Sequence, residues 1–275
     1  MSEERTKKLA RIILFSFLML LIIEMPHLLS APFLGTEAYE SVYNLSTLMI
    51  YPLMFFAALL FVKQEGGDSV TELGLETDKR TWPHLIIGGI AGGAAAALVF
   101  LLAFAFGGQV ASPSSITGEL VLSLIIIAIP VSLMEELCYR GYMMTRMTEL
   151  WGQSKGIAIS SLVFALLHFS WWTPLGSVPL HLIVLFTLNL FVGGVVLSLG
   201  YYYSKERLWV PIGFHFAWNI VAYVAFPIYP REPVISPEIF QIEWGITTVL
   251  GFLFGLSVIW LLLKPVGEIR GGGSD

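Results

Sequence analysis

Charge is what this sequence has least of. Asp, Glu, Lys and Arg make up 13% of its 275 residues, about half the roughly 25% that covers the surface of a soluble domain. A chain so poor in charge, 56% hydrophobic and with a mean hydropathy of +0.78, takes lipid rather than water as its main solvent. Its basic residues are too few and too scattered for a nucleic-acid surface. Cysteine is nearly absent: a single Cys138 excludes an internal disulfide and any cysteine-built metal cluster. His-Glu-x-x-His, the commonest way to place two imidazoles and a base on one helix, is missing as well. The only long polar stretch is 64–82, there is no internal repeat, and 1–275 reads as a single multi-pass membrane domain.

What the sequence has in abundance is apolar runs. Crossing the hydrocarbon core takes ~20 apolar residues, and such runs fall at 9–30, 44–63, 83–106, 117–137 (with a helix continuing toward 150), 155–170, 179–203, 208–227 and 240–263. Turn residues and charges separate them, as at Gly66-Gly67-Asp68, Gly152-Gln153-Ser154, Thr173-Pro174 and Pro230-Arg231-Glu232-Pro233. The basic start followed by Ile12–Ile23 has the outline of a signal peptide. A cut near Ala31 would leave Pro32 directly after it, so the segment reads as a first membrane helix and not a removed leader. With eight spans, every Lys and Arg except Arg231 falls on one side. The positive-inside rule then puts both termini in the cytoplasm of a multi-pass cell-membrane protein. The fold expected is all-α, about eight transmembrane helices around a buried polar catalytic cavity, with a mobile tail over 267–275. The run Gly88-Gly89-Ile90-Ala91-Gly92-Gly93 is a small-residue pattern that lets helix backbones approach closely.

Ionisable side chains inside such runs are costly and mark candidate sites. Glu135, Glu136 and Arg140 lie on the fourth run, His168 on the fifth, His215 and Asn219 on the seventh. The fourth and fifth runs form a hairpin turning near Gly152, and Glu135 precedes that turn by about as many residues as His168 follows it. At ~1.5 Å per residue each lies roughly 20–25 Å along its helix, while His215 and Asn219 lie ~10–17 Å along theirs from the same side. All three helices thus reach one buried layer in the cytoplasmic half.

Within that layer the residue types divide the labour. Glu135 and Glu136 point ~100° apart. Glu136 and Arg140, four residues apart, favour an ion pair and leave Glu135 free. A carboxylate in a dry cavity, with His168 opposite, is a candidate base for activating a water. His215 and Asn219, on one face, are placed to donate to a developing oxyanion. Water, base and oxyanion site together describe amide hydrolysis. Singly, each residue has an ordinary reading: a structural ion pair, an interfacial histidine, interhelical hydrogen bonds. The ordinary readings need several unrelated polar residues to share a layer by accident.

The motifs Glu135-Glu136-x-x-x-Arg140, Phe164-x-x-x-His168 and His215-x-x-x-Asn219, in that order, resemble the CAAX prenyl endopeptidases. The same family takes in related bacterial and archaeal membrane proteases, including those linked to bacteriocin processing and self-immunity. The resemblance is strongest over 116–225, the catalytic core, and Leu73-Gly74-Leu75 followed by Trp82 is similar to the family's preceding segment. It implies that Glu135 and His168 activate the water, that His215 and Asn219 form the oxyanion site, and that Glu136 and Arg140 shape it. It also implies a metal-independent glutamate mechanism with no cofactor, although a zinc site of one glutamate with His168 and His215 is an alternative. The implied partners are membrane lipids and a peptide or lipid-modified protein cut near its C-terminus; oligomeric state is not legible. Two other classes compete: a non-catalytic binding or immunity protein on the same fold, and a transporter using the layer as a proton relay. No matching pair of broken helices supports the transporter. Ser132, Cys138 and His181 are secondary candidates, and Glu24, His27 and His84 read as interfacial.

Overall fold

A computed structural model describes residues 3–168 and 178–264. The mobile-tail expectation for 267–275 and the turn expected at Thr173-Pro174 lie outside these residues. Every regular element among them is helical. The main helices are α1 (Glu3–Ser30), α2 (Ala38–Gln64), α3 (Thr81–Phe106), α4 (Gly118–Trp151), α5 (Gln153–Leu167), α6 (Leu180–Tyr203), α7 (Trp209–Ala225) and α8 (Thr247–Leu263). Five of them, α1, α2, α3, α4 and α6, are long and apolar enough to cross a membrane, whereas α5, α7 and α8 are shorter apolar helices. That sets the number of spans fixed by length and composition at five, against the eight expected.

Local chemistry explains the boundaries. The Thr117 side chain accepts a hydrogen bond from the Leu120 backbone N–H and starts α4. Gly107, with φ +84°, ends α3 in the left-handed conformation that a side chain would resist. Gly152, with φ +82°, turns α4 into α5. The α8 boundary departs from expectation. Residues 241–246, read as the start of the last span, are not helical, and α8 begins at Thr247. Glu243 adopts a left-handed backbone, φ 66°, that no α-helix accommodates.

Large apolar side chains point outward in numbers no water-soluble protein tolerates: Leu48, Phe56, Phe104 and Ile126 are all more than 60% exposed. The interior divides in two. One cluster joins α1, α2 and α4 around Phe15, Phe61 and Tyr142. The other joins α3, α7 and α8 around Phe214, Trp218 and Phe252. Backbones meet where the small-residue run lies. A Cβ added to Gly92 would sit 2.1 Å from the Phe214 carbonyl oxygen, and one added to Gly88 at the same distance from that of Val210. α7 returns the contact, since a Cβ on Gly213 would sit 2.2 Å from the Leu85 carbonyl oxygen.

Polar ties close the end that carries most of the basic residues. Arg146 pairs with Glu65, which also accepts from the Tyr142 hydroxyl. Arg207 grips Asp78 through two nitrogens, and the Trp209 indole N–H donates to the Glu76 carbonyl. These bonds fix the segment after α2 against the α6–α7 turn.

Candidate active site

α4 carries the two glutamates to the middle of the fold, directly before a π-helical stretch, Leu137–Met144. Its wider i→i+5 bonding re-aims the residues that follow, and such stretches recur at functional sites. All eight residues of the stretch are buried.

Glu135 and Glu136 face different neighbours. The Glu136 side chain is fully buried, and its Oε1 accepts both from Arg140 Nη1 at 3.0 Å and from His215 Nδ1 at 2.8 Å. Arg140, itself 2% exposed, also lies over the Phe164 ring, 4.1 Å from its centroid. The Glu135 side chain is 19% exposed and borders a cavity of about 170 Å³. Its Oε2 stands 3.3 Å from His168 Nε2 and 3.9 Å from His215 Nε2, with no aligned hydrogen bond.

Each imidazole is oriented by its other nitrogen. His168 caps α5, and its Nδ1 lies 2.8 Å from the Phe164 carbonyl. A carbonyl only accepts, so Nδ1 carries the proton and Nε2 turns toward Glu135. His215 gives Nδ1–H to Glu136, which likewise turns its Nε2 toward Glu135 and the cavity. Asn219, four residues on, lines the same cavity. The structure therefore brings Glu135, His168, His215 and Asn219 around one space, with Glu136 and Arg140 behind them. Among the described residues, no group of three or more His, Cys, Asp or Glu is arranged to hold a metal ion.

The secondary candidates fall away from this space. Ser132 donates to the Ala128 carbonyl and lines a separate apolar groove. The Cys138 thiol is buried against the Met54 carbonyl. His181 is exposed and does not border the cavity. Glu24 and His84, read as interfacial, are buried at 5% and 9% exposure.

Several lining residues were missed by the sequence reading, among them Asn189, Tyr223 and Glu243. Asn189 lies alone among apolar neighbours in α6, the pattern that flagged the other site residues. Glu243 follows α7 in the non-helical segment. Its position at the edge of an apolar run disguised it as part of a helix end.

Compared with known proteins, residues 117–221 match the Rce1-like family, described as type II CAAX prenyl endopeptidase Rce1-like. No curated protein matches the chain. The match spans α4 to α7 and contains all the site residues above except Tyr223 and Glu243. It supports the CAAX protease family that the motifs resemble, and with it a membrane-embedded peptidase acting on a protein substrate.

Proposed function

We propose that this protein is an intramembrane glutamate endopeptidase that hydrolyses a peptide bond near the C-terminus of a prenylated, CAAX-type substrate. The observation that carries the reading is the placement of Glu135 Oε2 within 3.3 Å of His168 Nε2 and 3.9 Å of His215 Nε2, at the edge of a cavity. A water bonded to both atoms would sit beside the pair on its cavity side, since 3.3 Å leaves no room for one between them.

Glu135 takes a proton from this water as its oxygen bonds to the scissile carbonyl carbon. The carbonyl oxygen becomes an oxyanion and accepts from Asn219 Nδ2 and from His215 Nε2–H, which requires the His215 ring to carry both protons. Glu136 is the counter-charge for that ring, and Arg140 holds Glu136 in place. Collapse of the tetrahedral carbon breaks the C–N bond, and the proton held by Glu135 passes to the leaving amine. No step draws on a metal or cofactor. The same proposal has eight membrane passages, with α5, α7 and α8 completing the five longer spans, and both termini cytoplasmic, where 14 of the 15 basic residues then lie.

The purified protein should cleave a farnesylated C-terminal peptide, in the presence of a strong chelator, and Glu135→Ala and His168→Ala should each lower kcat by about 10²–10⁴-fold. Cleavage that survives both substitutions removes the site from the mechanism. Activity that a chelator abolishes and zinc restores replaces the glutamate route with a metal one.

A further inference from the structure

We propose that Glu243 is a substrate-binding residue of the same cavity, accepting hydrogen bonds from backbone N–H groups of the bound peptide. This rests on the peptidase reading for the identity of the ligand, and on separate observations for the site. Glu243 lies outside residues 117–221, so the family match does not reach it.

The segment that carries it is anchored. After the short helix Pro237–Phe240, residues 241–246 run against α6 and α7 before α8 begins. Asn189, fully buried on α6, donates through Nδ2 to the Glu243 carbonyl at 2.8 Å and to the Gly245 carbonyl at 3.0 Å. Two carbonyl acceptors on one nitrogen fix the orientation of this amide. The Glu243 N–H donates to Thr248 Oγ1 at 2.9 Å, and Gln241 Nε2 donates to the Pro227 carbonyl at 2.8 Å. Irregular backbone inside a membrane protein persists only where it is satisfied in this way or borders a cavity, and here both hold.

The side chain is the unusual part. A φ of 66° is a glycine conformation, and glutamate occupies it at a conformational cost. Glu243 borders the cavity together with Glu135, His168, His215 and Asn219. A carboxylate offers about four acceptor positions.

A peptide entering this space brings N–H groups as well as carbonyls, and away from water each needs a partner. The imidazole and amide of His215 and Asn219 serve carbonyl oxygens. Glu135 is committed to the water. Among the described lining residues, Glu243 is the remaining carboxylate; Asn189 Oδ1, also on the lining and without a partner, is a neutral acceptor, so the charged acceptor for the peptide N–H groups is Glu243.

The test compares KM, kcat and binding for Glu243→Ala and Glu243→Gln, using a farnesylated peptide and analogues N-methylated at one amide at a time. Glu243→Ala should raise KM about 10-fold, the size of one lost hydrogen bond to a charged group, and move kcat less. Glu243→Gln, which keeps an acceptor, should stay within about 3-fold. One N-methylated peptide should bind the native protein about 10-fold more weakly and lose nothing further in Glu243→Ala. Titrating the same peptides into Glu135→Ala, with and without Glu243→Ala, gives a readout independent of hydrolysis. Absence of hydrolysis by the native protein counts against the peptidase reading alone. Absence of measurable peptide binding, or binding that Glu243→Ala leaves unchanged, overturns the role of Glu243. So does a loss that falls equally on every analogue.

Discussion

α7 presents two faces that obey opposite rules. On one, Gly213 and the carbonyls of Val210 and Phe214 meet α3 with no room for a single methyl group. On the other, His215 and Asn219 border open space, and neighbouring polar atoms are left without aligned partners. The tight face sets the helix position to within the tolerance of bare backbone contact. On the proposed mechanism the loose face needs that setting, because a reacting group displaced by ~1 Å can lose two orders of magnitude in rate. Rigid apolar packing and an under-satisfied polar cavity are thus two sides of one helix, and the first holds the second.

The comparison breaks most sharply at Glu136, which holds His215 on the cavity face. Glu136→Ala should destabilise the protein by about 3–5 kcal/mol, since it strands a buried Arg140 and removes the partner of His215 Nδ1. Thermal unfolding in detergent checks it, and Glu135→Ala, which opens onto the cavity, should unfold close to the native temperature. An equal loss for the two variants would erase the difference between the adjacent carboxylates. Next in size is Gly92→Ala, which forces α3 and α7 apart at about 1–3 kcal/mol and should lower activity with it. Gly93→Ala is the control, because its added Cβ meets nothing nearer than the Ala217 Cβ at 3.9 Å. The smallest effect belongs to the exposed tie between Asp78 and Arg207. The Arg80 backbone N–H, with help from the Arg207 guanidinium, holds the Asp78 carboxyl below its ordinary 3.8. A depressed carboxylate stabilises the fold above its ordinary value and stops doing so as pH falls through the depressed one. Asp78→Asn should therefore lower the Tm slightly at neutral pH, and the gap from the native protein should close in acid.

The legible parts of the fold were those governed by composition and short-range spacing. Apolar runs located the helices, and the Gly88–Gly93 pattern marked the place where backbones touch. Four-residue spacings put Glu136 under Arg140 and His215 beside Asn219. The handover of His215 Nδ1 to Glu136 joins residues 79 positions apart, and no local pattern encodes such a bond. The late start of α8 depends on Asn189, 54 positions upstream of Glu243, satisfying a backbone that hydropathy alone would make helical. The π-helical stretch left no mark in the spacing either, since its apolar residues are buried on every side.

Helix length has one more consequence. α5 has 15 residues and α7 and α8 have 17 each, so they extend only about 23–26 Å, short of a hydrocarbon layer roughly 30 Å thick. A bilayer meets such a hydrophobic mismatch by thinning. The three short helices are those that carry His168, that carry His215 and Asn219, and that follow Glu243. On the proposed eight-passage reading, the flank these helices form is where the lipid would dip, the path for water would be shortest, and a thicker membrane would press hardest.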